Sequence, residues 1–297
     1  MWRTVMVQKP ARLSLRHNQL CCENDDGVSQ LAIEDIAWVI LESPRVSLTG
    51  ALLSTLADSG VGLMTCDDKH LPNGVLTSFV QHHRQLSQLS LQLSWSEPFK
   101  KRCWQQIVIS KITNQANHIA ALGDKESATL LHHFASRVLS GDTDNREAVA
   151  AKEYWQALFG NDFRRKASTG TTAALNYGYA LIRGAIGRSL AANGFMPALG
   201  LHHKSQLNGW NLADDLIEPF RPLVDAWVVS MATEFPWEEN LSVNDRQRLV
   251  SILNQPVLIG GQALSLLTAC EQVTDNLVRA SREVSPPMLV LPEFGVS

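Results

Sequence analysis

FKKRCWQQIVISKITNQANHIAALG, residues 99–123, decides how this chain folds. Trp104, Ile107, Val108 and Ile112 recur there at i, i+3, i+4 and i+8, the spacing that lines one face of an α-helix. Upstream the texture differs. WRTVMV (2–7), the alternating RLSLRHNQLCCE (12–23), SQLAIEDIAWVIL (29–41) and VGLMTC (61–66) read as short strands, broken by turn signals at NDDG (24–27), SPR (43–45) and LPNG (71–74). One helix interrupts them, TGALLSTLADSG (49–60), with Thr49 as a cap candidate and Gly60 as its stop. Downstream, QLSQLSLQLS (85–94) reads as a loop-to-helix transition. Further helices are expected at 127–139, 145–160, 171–194 and 246–254, and within 199–225. The sequence thus predicts an α+β protein, with a small β-rich domain over 1–80 followed by a larger, nearly all-helical domain over 81–297. The tail SPPMLVLPEFGVS (285–297) is expected to be extended and loosely attached, and no internal repeat is visible.

Composition narrows the function classes. The chain has 297 residues, 45% hydrophobic and 19% charged, values of an ordinary globular protein. No apolar run is long enough for a membrane span, and MWRTVMVQKP lacks the apolar core of a signal peptide, so a cytoplasmic protein with no membrane partner is expected. Cys21, Cys22, Cys66, Cys103 and Cys270 form no CxxC pair, and they are expected to be free, reduced and mostly buried. Charge is uneven. Residues 1–80 carry 6 Lys+Arg and 9 Asp+Glu, residues 81–190 carry 14 and 8, and residues 191–297 carry 6 and 12. A net charge of −3 argues against a generic nucleic-acid binder, yet it leaves room for a basic face beside an acidic site.

The acidic site has candidates in LGLHHKSQLNGWNLADDLIEPFRPLVD (199–225). Asp215 and Glu218 are three residues apart, so a helix over NLADDLIE capped by Asn211 projects both carboxylates from one face. Asp214, i,i+4 to Glu218, stays open as a third acid. Pro219 and Pro222 kink or restart the helix at that point. His202 and His203 lie upstream on a turn after Gly200, but a His doublet alone is weak evidence, since others stand at 82–83 and 132–133. In NREAVAAKEYWQALFG (145–160), Glu147 lies in the first helical turn with Asn145 as a cap candidate, where an acid also simply complements the helix dipole. Several carboxylates with one imidazole form a hard, oxygen-rich donor set that favours Mg²⁺ or Mn²⁺ over structural zinc, and such ions serve phosphate chemistry.

Several of these motifs, in order, resemble a known family. REAVAAKEYWQALFG (146–160) is similar to the first-acid motif of the CRISPR-associated spacer integrase, the universal Cas endonuclease. LGLHH (199–203) followed by NLADDLIEPFRPLVD (211–225) resembles its histidine and second-acid motifs, and KRCWQQIVISKITNQA (101–116) its inter-domain helix. WRTVMV and residues 45–74 are similar to its β-domain. The likeness is collinear, spans nearly the whole chain and is strongest to the type II version.

The resemblance implies a β-domain joined to a helical catalytic domain, paired as a homodimer through the β-rich part. It implies metal-dependent cutting and joining of double-stranded DNA, spacer into CRISPR repeat, as part of antiviral defence. The family's first metal-binding acid falls on Glu147, with Glu153 at a variable position. Its histidine, three residues after the glycine, falls on His203 rather than His202, its last acid on Glu218, and an accompanying acid on Asp215. Many members carry Asp where this chain has Glu218, a side chain longer by one methylene. The implied cofactor is Mg²⁺ or Mn²⁺, and the implied assembly is two dimers bridged by a dimer of the small second Cas protein, a heterohexamer. Arg84, Lys101, Arg102, Lys111, Arg146, Arg164 and Arg165 are the candidate contacts to the DNA backbone. Two rival readings stay open: a metal-dependent phosphodiesterase acting on a small substrate, and a catalytically silent DNA-binding scaffold.

Overall fold

Strand β1 (Arg3–Val7) leads into a hairpin where the sequence shows one alternating run. In the computed structural model, which describes residues 3–76, 85–165 and 167–295, β2 (Ala11–Arg16) and β3 (Gln19–Asn24) meet at His17 and Asn18. Both have positive φ, 49° and 59°, the left-handed pair whose twist matches that of the flanking strands. NDDG then turns β3 into β4 (Gly27–Ala32), and a 3₁₀ turn at Ile33–Asp35 breaks the run 29–41 so that β5 (Ile36–Leu41) joins a different sheet. All six residues of β5 are buried, which explains its unbroken apolar IAWVIL rather than an alternating pattern. After β6 (Val46–Leu48) comes α1 (Gly50–Asp58), capped as expected by Thr49, whose hydroxyl accepts from the Leu52 amide. Strand β7 (Gly62–Cys66) and β8 (Pro72–Leu76) complete the set. LPNG, expected as a turn, instead opens β8, an edge strand where Pro72 needs no amide proton.

These strands form two four-stranded sheets, β1-β5-β7-β8 and β4-β3-β2-β6. In the first, β5 runs parallel to β1 and β7, while β8 is antiparallel. Val7, Leu13, Leu20, Ile36, Val39, Leu52 and Leu56 belong to one buried cluster that seals them. All five cysteines are free, with Cys21 buried and its neighbour Cys22 on the other face of β3 half-buried.

The chain divides into two compact units, Met1–His83 and Arg84–Ser297. The second is helical: α2 (Gln85–Leu93), α3 (Glu97–Ala121), α4 (Lys125–Ala135), α5 (Arg146–Phe159), α6 (Gly170–Ala192), α7 (Asn211–Ile217), α8 (Arg221–Glu234), α9 (Val243–Val250) and α10 (Leu266–Arg282). Helix α3, 25 residues and about 37 Å long, is its axis. Its predicted face, Trp104, Ile107, Val108 and Ile112, is buried, and so are the polar Lys111, Asn114, Gln115 and His118. Helices α4, α5 and α8 pack around it. None of the described helices is long and apolar enough to cross a membrane.

Two features of this unit differ from expectation. A small antiparallel sheet, β10-β9-β11, is built from β9 (Pro256–Ile259), β10 (Gln262–Ser265) and β11 (Pro292–Glu293). The tail is therefore not loose. Leu289 and Leu291 are buried, and the Asn114 amide group of α3 donates to the Pro292 carbonyl and accepts from the Phe294 amide, at 2.9 Å each.

Candidate metal centre

Three segments meet around α3, and each is held by a polar device the sequence disguises. The first is the start of α5. Asn145, the expected cap, sits at φ 56° and its side chain caps nothing. The cap comes from Asp142, buried and itself at φ 50°, whose carboxylate accepts from the amides of Arg146 (2.8 Å) and Glu147 (3.1 Å). Glu147 is thereby fixed in the first turn with its side chain about a quarter exposed.

The second segment is the histidine turn. Gln92 of α2, itself buried, clamps it from below, donating to the carbonyls of Met196 (3.0 Å) and Leu199 (2.8 Å) and accepting from the Met196 amide (2.8 Å). Gly200 has no room for a side chain, since a Cβ would lie 2.5 Å from the His203 carbonyl oxygen and 2.7 Å from Asp215 Oδ2. Asn211, the expected cap of α7, begins the helix and spends its amide on the carbonyls of Ala198 and Ser205 instead. Asp214 points elsewhere, paired with Arg183 at 2.6 Å.

Asp215 does not project beside Glu218. It is fully buried and faces back into the turn, where Oδ2 accepts from the amides of Leu201 (2.6 Å) and His202 (3.1 Å), and Oδ1 from the His203 amide (3.0 Å) and ring Nδ1 (2.7 Å). Four donors take the lone pairs a metal would need, so Asp215 orients His203 rather than accompanying Glu218 as an acid. The hydrogen bond that the ring donates to Asp215 raises the His203 pKa against the effect of burial, and the charges on Asp215 and Glu218 add to it. With the proton on Nδ1, the lone pair on Nε2 is left for a ligand. Both histidines lie against Trp104 of α3: His202 stacks on the indole at 4.2 Å, and His203 meets it edge-on at 5.7 Å.

The third segment is the junction of α7 and α8, where the two prolines restart the chain through a 3₁₀ turn at Glu218–Phe220. Glu218 is buried, accepting from Arg221 Nε at 2.8 Å on one oxygen and from Lys111 Nζ at 2.5 Å on the other. Lys111 also donates to Glu147 Oε1 at 2.5 Å. Burial would push the Glu218 pKa up, but Lys111 and Arg221 overcome it and pull it down to about 2. Lys111 is likewise held charged: burial works against the ammonium, and the two carboxylates more than offset it.

Lys111 therefore departs from its expected place on a DNA-facing surface. It is buried between the two acids and unavailable to a phosphate in this arrangement. Of the other candidates, Lys101 and Arg102 are exposed in the first turns of α3. Arg146 is paired with Asp144 at 2.6 Å, and Arg164 is exposed with one nitrogen on the carbonyls of Asn161 and Phe163. Arg165 lies over the rings of Trp155 and Tyr179 and, with Arg221, lines a cavity of about 180 Å³ that also borders Lys111 and Glu218. Arg84 lies outside the described residues.

Asp225 and Tyr179, which also line this cavity, belong to a cluster not expected from the sequence. Asp225 of α8 accepts from the hydroxyls of Tyr154 (3.0 Å) and Tyr179, and Tyr154 also meets His118 Nδ1 at 2.8 Å. Burial pushes the Asp225 pKa up to about 7 against the two tyrosine donors, and burial pushes His118 down to about 4.

Glu147 and Glu218 thus converge on one cationic point, while His203 stands on the adjacent turn, near enough for the charge of Glu218 to act on its ring. The donor set suits a hard divalent ion, although among the described residues no three His, Cys, Asp or Glu side chains close on a common point, and the two acids meet at Lys111 instead. Residues 5–246 match the family model described as CRISPR associated protein Cas1.

This chain belongs to the Cas1 family.

A relative from Neisseria meningitidis serogroup C (strain 8013), named CRISPR-associated endonuclease Cas1, is 42% identical over 293 residues, 99% of this chain and 96% of the relative. Among solved structures, a casposase bound to integration product superposes with a TM-score of 0.77 at 15% identity, over 95% of this Cas1-family chain and 91% of the casposase. A Cas6-RT-Cas1–Cas2 complex superposes with a TM-score of 0.76 at 18% identity, over 97% of this chain, which spans only 36% of that one. At such identities these two likenesses carry the fold.

Proposed function

We propose that this chain is a divalent-metal-dependent DNA endonuclease and integrase that inserts spacer DNA into a CRISPR array. The observation that carries this reading is the pair Glu147 and Glu218, each 2.5 Å from one cationic nitrogen, beside a histidine whose second ring nitrogen is left for a ligand. Glu147, His203 and Glu218 would hold Mg²⁺ or Mn²⁺. Bound there, the ion would polarise a phosphodiester oxygen and stabilise the charge that builds up in line displacement.

The chain's own residues do the rest. Asp215 keeps the proton on Nδ1 of His203 and so directs Nε2 outward. Arg221 anchors one oxygen of Glu218 and leaves the other for the cation site. Lys101, Arg102, Arg164 and Arg165 would grip the DNA backbone without reading its sequence, a contact that weakens with salt. A 3′-hydroxyl of the incoming DNA attacks the phosphorus, and the target strand's own 3′-oxygen leaves; water in place of the hydroxyl gives hydrolysis. The likeness to a casposase on its integration product and to a Cas1–Cas2 complex supports both this chemistry and a Cas2-type partner. The β-rich unit would pair two copies, and two such dimers bridged by the partner would form a heterohexamer.

The test is strand integration of short duplex DNA into a supercoiled target with the bridging partner and Mg²⁺. Chelation by EDTA or Glu147→Ala is expected to lower the rate by orders of magnitude, since each 1.36 kcal/mol is about tenfold. Normal integration in either arm would refute the assignment.

A further inference from the structure

Lys111 is the one charged group at this site for which the proposed chemistry supplies no role. Helix α3 delivers its nitrogen into the gap between α5 and the α7–α8 junction, 2.5 Å from Glu147 Oε1 and 2.5 Å from Glu218 Oε2. Two carboxylates aimed at one gap repel each other, and Glu218 is too buried for water to screen that repulsion. Arg221 balances one oxygen of Glu218, and the other accepts from Lys111. Glu147, Glu218, Lys111 and Arg221 together sum to zero charge.

An ammonium and a divalent ion cannot share this point. An ion bound to both carboxylates sits about 2.0–2.1 Å from each oxygen, the distance Mg²⁺ demands, so it would overlap a nitrogen already touching the same two atoms. Like charge adds to the steric exclusion. The cavity of about 180 Å³ that Lys111 borders, lined also by Gln115, Trp155 and Tyr179, gives the side chain somewhere to withdraw.

We propose that Lys111 is a tethered counter-ion that holds Glu147 and Glu218 together in the metal-free protein and competes with the divalent ion for them. This inference rests on reading those acids as metal ligands. A lysine with a purely structural role would stabilise the fold equally with and without metal, whereas a competitor makes the fold need metal once it is removed.

The experiment compares the full-length wild type with Lys111→Met, which keeps the chain's bulk without the charge, and Lys111→Arg, which keeps the charge. Mn²⁺ binding is read by titration calorimetry and thermal unfolding is read across a Mn²⁺ series. Two charge-assisted hydrogen bonds no longer oppose the ion in Lys111→Met, so its affinity is expected to rise by about ten- to a hundredfold. Its melting temperature falls without metal and recovers with Mn²⁺, while Lys111→Arg keeps the wild-type affinity. If the wild type binds Mn²⁺ and Lys111→Met binds no tighter, the counter-ion role is overturned and the metal site stands. If neither protein binds Mn²⁺, both fall. Binding by Lys111→Met alone supports a lysine that blocks the site outright.

A measurement on the wild type is immune to any folding defect of the variants. Reductive methylation followed by peptide mass spectrometry is expected to label Lys111 several-fold faster when Mn²⁺ is present, with Lys9 and Lys125 as unaffected references. Equal labelling of Lys111 in both conditions would overturn the proposal.

Discussion

Asp215→Asn isolates the device that aims the histidine. The native carboxylate is fully buried and takes four hydrogen bonds, three from backbone amides and one from the His203 ring. An asparagine offers one carbonyl oxygen and turns an NH₂ toward two of those donors, whichever way the amide is flipped. Each buried donor left without an acceptor costs about 1–3 kcal/mol, so the variant, with two such donors, is expected to lose about 2–6 kcal/mol. That is a large share of the 5–15 kcal/mol that usually holds a protein folded. Urea denaturation measures the loss, and hydrogen exchange at the amides of 201–203 locates it. His203 supplies an independent readout. Its pKa is raised above 6.5 chiefly by Asp215, so its contribution is fully present below that pH and is lost as pH rises through the folded value. In Asp215→Asn this loss of stability above pH 6.5 should vanish, and the ring should titrate lower by NMR. A variant within about 0.5 kcal/mol of wild type, with His203 titrating unchanged, would refute the view that Asp215 builds the turn.

Glu218→Gln should remove an acid-linked stability term: with a folded pKa of about 2 against an ordinary 4.5, the wild type gains about 3 kcal/mol that is present above pH 4.5 and disappears on acidification toward pH 2. Acid titration of unfolding checks this, and equally steep curves for the two proteins would contradict it. Asn114→Ala should release the C-terminal strand by removing its contacts to Pro292 and Phe294; limited proteolysis is then expected to cut within 285–295 about tenfold faster, and an unchanged digest would argue that the β9 pairing suffices. Lys101→Ala with Arg102→Ala should weaken DNA binding evenly across sequences and lower the slope of log K against log salt by about 2, read by fluorescence anisotropy; an unchanged slope would remove both residues from the interface.

How much of the site could be read in the sequence depended on whether a residue's partner was local. Glu147 and Glu218 stand on helices whose spacing the sequence displays. The structure departs from expectation where a polar residue is bonded to a distant segment. Asp215 sits on the helical face expected, but its carboxylate turns back 12–14 residues to the amides before it, a direction that periodicity does not encode. The cap of α5 stands at Asp142 rather than Asn145, because two positive-φ residues fold the approach so that an acid four residues earlier reaches the helix start. For Lys111 the signal was present. It is i+7 from Trp104, i+4 from Ile107 and i+3 from Val108, so it falls within the apolar stripe, where a lysine needs an anionic partner. The small sheet is hard to see in the sequence for a different reason. PVLI and QALS are four residues each, and only Gly260 and Gly261 between them mark a hairpin.

Glu218 and Asp225 lie one helical segment apart and are both almost wholly buried, yet their pKa values move in opposite directions, to about 2 and about 7. Burial acts on both in the same sense, so the partners decide. Glu218 faces two full positive charges, Lys111 and Arg221, whereas Asp225 receives the hydroxyls of Tyr154 and Tyr179, which hydrogen-bond a carboxylate without neutralising it. The consequence divides labour along one short stretch of chain. Asp225 ties α5, α6 and α8 together through Tyr154 and Tyr179, and it can do so in either protonation state because a carboxylic acid still accepts from a hydroxyl. Glu218 is kept anionic at any physiological pH, so a cation reaching the site has no proton to displace there. Its competitor is Lys111, a charge that can move aside rather than one that must dissociate. On the proposed reading, that difference would let the buried Glu218 and the part-exposed Glu147 stand together without metal and still remain open to it.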